Sequence, residues 1–250
     1  METIWRENFD IKSYNVDFQQ NAKPSALMQF FQEVASNHAA ELGAGYEALI
    51  ARELFWALSR LTVEIDRMPR WGESILIETW PCGSEGLFFR RDFIVYDKDH
   101  QVIIRAVSGW LLVASQTLRP QRPAMLGLDL PFNQGKKSLP YFPDRITVQT
   151  EQVAFNKQVA YNEIDQNLHV NNTRYLDWAT DCFKLDHYQN HRLTRFSLEF
   201  LAETHWGDEI VLHIGSDTLN SAIEALELTS ATKLFKAVLN WESSITIPGH

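Results

Sequence analysis

Apolar side chains recur with helical spacing in two segments of the chain. Between Pro24 and Leu42, the positions i, i+3, i+4, i+7 and i+8 are Leu27, Phe30, Phe31, Val34 and Ala35. The second segment repeats the stripe at Tyr175, Trp178, Ala179, Cys182 and Phe183. This spacing is typical of an amphipathic helix, and Pro24 suits a first helical turn. The pattern therefore predicts one long helix in each half of the chain.

Alternating apolar positions follow each predicted helix. After the first they are Leu61, Val63 and Ile65; Ile75 and Ile77; Phe89, Phe93 and Val95; then Ala106, Ser108, Trp110 and Leu112. After the second they are Phe196, Leu198 and Phe200; Ile210, Leu212 and Ile214; Ala222 to Leu228; then Phe235, Ala237, Leu239 and Trp241. A period of two predicts antiparallel strands. Each half is therefore expected to be an α+β unit whose sheet wraps the helix.

The two halves repeat each other in sequence. A strand-like segment followed by Trp71-Gly72 matches a similar segment followed by Trp206-Gly207 at a constant offset of 135 residues. Such a period is too long for a solenoid and indicates a duplicated domain. The segment from Pro120 to Pro143 contains Pro, Gly and Lys-Lys without periodicity, which predicts a linker. We expect domains at 1–130 and 146–250, with the linker at 131–145.

Composition and charge narrow the class of protein. The chain has 250 residues, 45% of them hydrophobic and 22% charged, and a net charge of −9. That charge argues against a general nucleic-acid or anionic-membrane binder. We expect no membrane span and no signal peptide, because the sequence has neither a long apolar run nor a basic start. Two distant cysteines match no metal spacing and suggest reduced thiols in the cytoplasm.

The strongest chemical signal is the segment Asp165-Gln-Asn167-Leu-His169-Val-Asn171-Asn172. In an extended or loose-turn backbone its carboxylate, amide and imidazole would point to one side. Asn171 and Asn172 are good N-caps, so a helix should begin there and offer free N–H groups to a developing oxyanion. The competing interpretation is a polar loop that only caps a helix. A calcium loop fails, because its sixth and twelfth positions are Val170 and Leu176.

Together, the duplicated helix-and-sheet unit, the Asp165 to Asn172 motif and the stretch Tyr175 to Trp178 resemble the acyl-acyl carrier protein (acyl-ACP) thioesterases of fatty acid synthesis. The resemblance covers nearly the whole chain and implies a tandem hotdog fold. Its supporting stretches are Trp71-Gly-Glu73, Arg90-Arg91-Asp92, Trp110, Thr117-Leu-Arg119 and Arg122-Pro123. The Asn-x-His-Val-Asn-Asn core is also close to that of related hotdog thioesterases, so it indicates the superfamily more firmly than the substrate.

The resemblance implies a set of site residues. The family's Asp, Asn, His and Glu fall on Asp165, Asn167, His169 and Glu203, while the cysteine typical of the plant enzymes is replaced by Thr204. It implies hydrolysis of fatty acyl-ACP thioesters, which ends fatty acid synthesis, with no cofactor and no metal. The repeat maps Glu203 to Met68, and nothing near Asp17 and Asn21 reproduces the set. The first half would then only supply a wall for the acyl chain, with Met28 and Phe31 bearing on its length.

The roles and partners of these residues stay open at several points. Asp165 is either the nucleophile or the base that activates water; Asn167 polarises the carbonyl; His169 bonds the reacting centre; and Glu203 orients His169 or the water. Cys182 and Cys82 are expected to be inert, and His187 and His191 have no evident third metal ligand. The alternatives are an acyl-coenzyme A thioesterase and a catalytically silent acyl-binding protein. A homodimer is left open. Candidate residues for docking an acidic acyl carrier protein are Arg90, Arg91, Arg119, Arg122, Lys136 and Lys137.

Overall fold

The computed structural model describes residues 3–122, 130–133 and 135–244, and it divides into two units, residues 1–144 and 145–250. In the first unit, β1 spans Trp5–Asp10, α1 Pro24–Glu41, α2 Tyr46–Ile50, β2 Leu54–Ile65, β3 Ser74–Glu85, β4 Phe88–Tyr96, β5 Val102–Ala114 and β6 Arg119–Pro120. Their antiparallel pairing gives the order β2-β5-β4-β3-β1, and β6 adds to β5. The predicted helix and all four predicted strands are confirmed.

Helix α1 carries its apolar stripe into the core of the first unit. Leu27, Phe31 and Val34 are buried, and the ring of Phe31 lies 4.8 Å from that of Phe93 on β4. Met28 is buried on the same helix. Since a fully buried large apolar side chain contributes roughly 1.5–3 kcal/mol, this face rather than helix propensity stabilises α1.

The second unit repeats this architecture. Here β7 spans Gln152–Gln158, α3 Asn172–Asp181, α4 Leu185–Asn190, β8 His191–Phe200, β9 Glu209–Ile214, β10 Asn220–Glu227 and β11 Lys233–Ser243. The antiparallel order is β8-β11-β10-β9-β7, the same sequence of elements as in the first unit. The Tyr175 ring on α3 packs edge-on against Phe200 and Phe235. Cys182 lies just after the helix, as its C-cap.

The repeated tryptophans occupy equivalent turns. Trp71 precedes Gly72, which has a φ of 84°, and Trp206 precedes Gly207, which has a φ of 87°. Glycine adopts this left-handed backbone without a Cβ penalty, so both turns are fixed in the same way before β3 and β9. Both indole rings are exposed. The duplication predicted from the constant offset is therefore confirmed in topology and in the detail of this turn.

Part of the segment predicted as a linker is packed into the first unit. The carboxylate of Asp92 accepts from the backbone N–H of Ser138 at 2.6 Å, and Arg90 donates to the carbonyl of Leu139 at 2.6 Å. Leu139 is buried. Residues 138 and 139 of the predicted linker at 131–145 therefore pack against the first unit, while residues 123–129 and 134 lie outside the described part of the chain. The domain boundaries of 1–130 and 146–250 stay predictions.

Candidate active site

A tight turn of the backbone presents the Asp165–His169 segment. A carboxylate oxygen of Asp165 accepts from the N–H of Asn167 at 2.8 Å, and the carbonyl of Asp165 accepts from Leu168 at 3.0 Å. The N–H of Asp165 donates to the carbonyl of His169 at 2.8 Å, and Leu168 has a φ of 63°. Of the two expected backbones, extended or loose turn, the segment therefore adopts a turn, closed by hydrogen bonds. The Asp165 carboxylate thus accepts a hydrogen bond from the backbone of its own loop. The side chain of Asn167 is exposed.

His169 and Glu203 are the predicted residues that the fold brings into direct contact. Backbone pairing joins His169 to His205, and the N–H of Val170 donates to the carbonyl of Thr204 at 2.8 Å. This pairing places Nε2 of His169 3.4 Å from Oε2 of Glu203, with both side chains partly exposed. Residues 34 positions apart in the sequence thus meet at one acid/base pair.

The charges of Asp165 and Glu203 both act on the buried hydroxyl of Tyr175. Tyr175 on α3 donates to Oγ1 of Thr204 at 2.9 Å, and both of these residues are buried. The pKa of Tyr175 is raised to about 12, mainly by burial. The hydrogen bond to Thr204 lowers this pKa, whereas the negative charges of Glu203 and Asp165 raise it. Tyr175 on α3 is therefore within electrostatic range of both Asp165 in the loop and Glu203.

The start of α3 adjoins the loop. Asn171 is the N-cap, and its side-chain oxygen accepts from the N–H of Thr173 at 3.0 Å and from the hydroxyl of Thr173 at 2.8 Å. The prediction of a helix beginning at Asn171 and Asn172 is confirmed. The helix therefore begins three residues after His169, and the positive end of its dipole favours negative charge there.

Glu163, which was not predicted from the sequence, holds α3 in place through a hydrogen bond to Trp178. Its carboxylate accepts from the indole N–H of Trp178 at 2.6 Å and from the N–H of Ala160 at 2.8 Å, and it pairs with Lys157. Burial alone would raise the pKa of Glu163, but these bonds together lower it. Glu163 is thus a buried charge that is fully paired, and it fixes Trp178 on α3. Its position two residues before Asp165 is the only signal that the sequence offered.

The first unit holds the same loop with different chemistry. The carboxylate of Asp17 accepts from the N–H of Gln19 at 2.9 Å, and the backbone N–H of Asp17 donates to the carbonyl of Asn21 at 2.9 Å. Gln20 has a φ of 67°. Asn21 pairs with Arg70 as His169 pairs with His205. Asp17, Gln19 and Asn21 precede Asp165, Asn167 and His169 by a constant 148 residues.

The first half does not reproduce the whole Asp-x-Asn-x-His set, in keeping with the prediction, but its loop keeps one member. The carboxylate is retained as Asp17, whereas asparagine stands for the histidine and Met68 stands for Glu203. The change of offset from 135 in the strands to 148 in the loop concealed the match. Because the aspartate persists where the acid/base pair is lost, part of its role is to close the turn. The first unit therefore offers a natural control for the second.

Neither cysteine is placed to act as a nucleophile. Cys182 caps α3, and burial followed by the charge of Asp181 raises its pKa to about 12. Burial also raises the pKa of the Cys82 thiol to about 12. A thiol with such a pKa carries almost no thiolate near neutral pH. Thr204 occupies the position of the family's cysteine and is buried with its hydroxyl bonded to Tyr175.

Half of the candidate docking residues are engaged within the first unit. Arg90 is buried and forms a two-point ion pair with Asp92, so its expected role in docking is wrong. Arg91 donates to Nδ1 of His38 at 3.1 Å, and Lys136 pairs with Glu78 beneath the ring of Trp80. The candidates that remain exposed are Arg119, Arg122 and Lys137.

His205 is a second residue that sequence reasoning missed. Its ring lies edge-on to that of His169, with centroids 5.0 Å apart, and its side chain is about half exposed. Its Nδ1 lies 3.8 Å from the carboxylate of Asp208, which also accepts from its backbone N–H at 2.8 Å. By contrast, His187 and His191 stack on each other at 4.4 Å beyond the end of α3. The register of the Val170–Thr204 pairing is what brings His205 to His169.

Comparisons with known proteins place the chain in a family. The family models described as Acyl-ACP thioesterase N-terminal domain and Acyl-ACP thioesterase C-terminal domain match residues 2–124 and 147–242. The fold and the site define the class of protein as a hotdog-fold thioesterase in which the hotdog unit is present twice. The chain belongs to the acyl-ACP thioesterase family.

Individual relatives agree with this assignment. The chain is 28% identical over 217 residues to a palmitoyl-acyl carrier protein thioesterase of Gossypium hirsutum, covering 80% of this chain and 52% of that protein. It is 26% identical over 270 residues to a dodecanoyl-[acyl-carrier-protein] hydrolase of Cinnamomum camphora, covering 97% and 69%. The chain thus spans about half to two thirds of the length of these curated relatives.

A solved structure matches the chain nearly end to end. An acyl-ACP thioesterase from Bacteroides thetaiotaomicron superposes with a TM-score of 0.88 at 28% identity, covering 96% of this chain and 98% of that one. The tandem hotdog fold expected from the sequence is therefore confirmed. Within the described residues, no helix is long and apolar enough to cross a membrane.

Proposed function

We propose that this protein hydrolyses fatty acyl thioesters carried on acyl carrier protein and releases the free fatty acid. The single observation that supports it best is the contact of His169 with Glu203, made beside Asp165 and the start of α3 in a chain of this family. An acyl-binding protein without catalysis would have no use for an acid/base pair at that position. The curated relatives named above carry out this reaction according to their names.

The proposed reaction needs a nucleophile, a proton donor and a site for the oxyanion. In the general-base version, Asp165 or Glu203 takes a proton from water, and the water oxygen forms a bond to the thioester carbon. N–H groups at the start of α3 and the amide of Asn167 stabilise the oxyanion. The C–S bond then breaks, and His169 delivers to the sulfur the proton that the carboxylate took from water, so that a fatty acid and a thiol leave and both side chains return to their starting states.

A nucleophilic version uses the same residues. The Asp165 carboxylate attacks the thioester carbon, the thiol leaves with a proton from His169, and water then hydrolyses the mixed anhydride. Here the hydrogen bond from Asn167 N–H to Asp165 holds the carboxylate in one orientation. Incorporation of ¹⁸O from labelled water into Asp165 during a single turnover would establish the nucleophilic version, with water attacking the aspartyl carbon of the anhydride.

The carrier is the part of the proposal that the site itself does not specify. Acyl carrier proteins are acidic and this chain has a net charge of −9, so attraction depends on local basic residues. Arg119, Arg122 and Lys137 are the exposed candidates. The acyl-coenzyme A alternative needs no such surface. Location in the cytoplasm and assembly as a homodimer stay predictions, and the plant relatives above are described as chloroplastic.

The test is hydrolysis of one ladder of acyl chains presented on both carriers. We expect kcat/KM to be at least about tenfold higher for acyl-ACP than for acyl-coenzyme A at the preferred chain length. Equal efficiency on both would favour the coenzyme A alternative. Absence of hydrolysis on either carrier, with the fatty acid still binding, would favour the silent acyl-binding protein.

A further inference from the structure

Three metal-ligating side chains converge beside the loop. Ligand atoms of His169, Glu203 and His205 all lie within 4.8 Å of one another. The nitrogen of His169 and the oxygen of Glu203 are 3.4 Å apart. Their three side chains are one-third to about one-half exposed, so an ion could reach them from solvent.

The spacing suits a tetrahedral ion with short bonds. Zinc binds imidazole nitrogen and carboxylate oxygen at about 2.0–2.2 Å, so two ligands of a tetrahedral site lie about 3.4 Å apart. His169 and Glu203 already have this separation. His205 must approach by roughly 1.5 Å at most, which a rotation of its half-exposed side chain supplies. Two histidines and one glutamate leave the fourth position to water.

A carboxylate lies close to the third ligand. The carboxylate of Asp208 is 3.8 Å from Nδ1 of His205 and accepts from the backbone N–H of the same histidine at 2.8 Å. A small shift that brings this carboxylate into hydrogen-bond range of Nδ1 would favour the tautomer whose Nε2 is free to bind a metal. This support for His205 is independent of the His169–Glu203 contact.

We infer that His169, Glu203 and His205 form a binding site for Zn²⁺ and similar divalent transition ions, and that the bound ion inhibits the enzyme. The inhibitory part rests on the proposed function, because the ion would occupy His169 and Glu203, the acid/base pair. His205 supplies affinity for the ion and takes no part in hydrolysis. The two cysteines compete poorly, since burial keeps their thiols protonated.

Calorimetric titration of the full chain with ZnCl₂ tests the site without any substrate. We expect one ion per chain, bound at least about tenfold more weakly by His205→Gln. The control is His213→Gln, which removes a partly exposed histidine on β9 in the same unit and should leave the affinity unchanged. Absence of zinc binding to the parent, or equal binding by His205→Gln, would overturn the site.

The same variants test inhibition. Zinc should abolish hydrolysis of the acyl-ACP substrate by the parent and by His213→Gln, and a chelator should restore it. His205→Gln should keep its basal turnover and need at least about tenfold more zinc for half inhibition. Zinc bound at one site per chain with undiminished hydrolysis would overturn the inhibition. A parent that binds zinc but hydrolyses no thioester would instead refute the proposed function and leave the metal site standing.

Discussion

Nε2 of His169 lies 3.4 Å from Oε2 of Glu203, and the two residues come from segments that the backbone pairs side by side. Both side chains are partly exposed, so their ion pair should add only about 0–1 kcal/mol to the free energy of unfolding. The contact is therefore better explained by chemistry than by stability. At the equivalent positions of the first unit, asparagine (Asn21) stands for His169 and methionine (Met68) for Glu203, so the acid/base pair is absent there.

Glu203→Gln should lower kcat on acyl-ACP by about a hundredfold or more, because it removes the charge that orients His169 or the water. The melting temperature should change little, since the pair is exposed. The matched control is Met68→Gln, which places the same side chain at the equivalent position of the first unit and should keep kcat within about twofold. Glu203→Gln with parental turnover would remove the glutamate from the mechanism.

Cys182→Ser and Cys82→Ser should each keep kcat within about threefold of the parent. Burial raises the pKa of both thiols to about 12, so the thiolate needed for nucleophilic attack is scarce at neutral pH. Steady-state turnover on acyl-ACP at pH 7.5, with folding checked by circular dichroism, measures this. A folded variant without activity would mean that a cysteine takes part in the reaction.

The buried thiol of Cys182 should lower stability at alkaline pH. Its pKa is 9.0 in an unperturbed chain and about 12 in the fold, so between these values the unfolded state has lost a proton that the folded state keeps. Stability then falls as pH rises, by at most about 1.4 kcal/mol per pH unit for one such group. Cys182→Ala should show a shallower fall than the parent between pH 9 and 11 in urea unfolding. Parallel curves would show that the thiol ionises alike in both states.

Charge reversal at Arg119, Arg122 and Lys137 should raise KM for acyl-ACP several-fold and leave kcat nearly unchanged. These side chains are exposed, so the effect should shrink as salt rises and the Debye length falls to about 10 Å at 0.1 M. Hydrolysis of acyl-coenzyme A should respond less. The three reversals are made one at a time. The control is Lys98→Glu at the turn between β4 and β5, which changes the net charge by the same amount as each of them. An equal rise in KM from Lys98→Glu would indicate only a general effect of net charge.

Elements with a buried apolar face could be predicted from the sequence. Helix α1 and strand β11 follow their hydrophobic periodicity because their predicted apolar positions are largely the ones that are buried. Strands β1 and β7 escaped prediction, since each lies at the edge of its sheet and is largely polar. Their positions are set by pairing with β3 and β9, which is tertiary information.

The site residues could be named from the sequence, but their geometry could not. The left-handed φ of Leu168 and the hydrogen bond from Asn167 to Asp165 depend on the closed turn, and no glycine marks it. Arg90 looked like a surface charge although Asp92, two residues later, lies on the same face of the strand and pairs with it. That spacing was a readable sign of a buried ion pair.

Asp165→Asn measures the central claim most directly. Asparagine keeps an oxygen that can accept from the N–H of Asn167, so the turn should persist while the charge is lost. The matched variant Asp17→Asn makes the same change in the first unit, where Asp17 accepts from Gln19 and Asn21. We predict that kcat on acyl-ACP falls by about a hundredfold or more in Asp165→Asn and stays within about twofold in Asp17→Asn, with similar melting temperatures. Parental turnover in Asp165→Asn would contradict a role for Asp165 in the reaction, and an equal loss in both variants would contradict a catalytic site confined to the second unit.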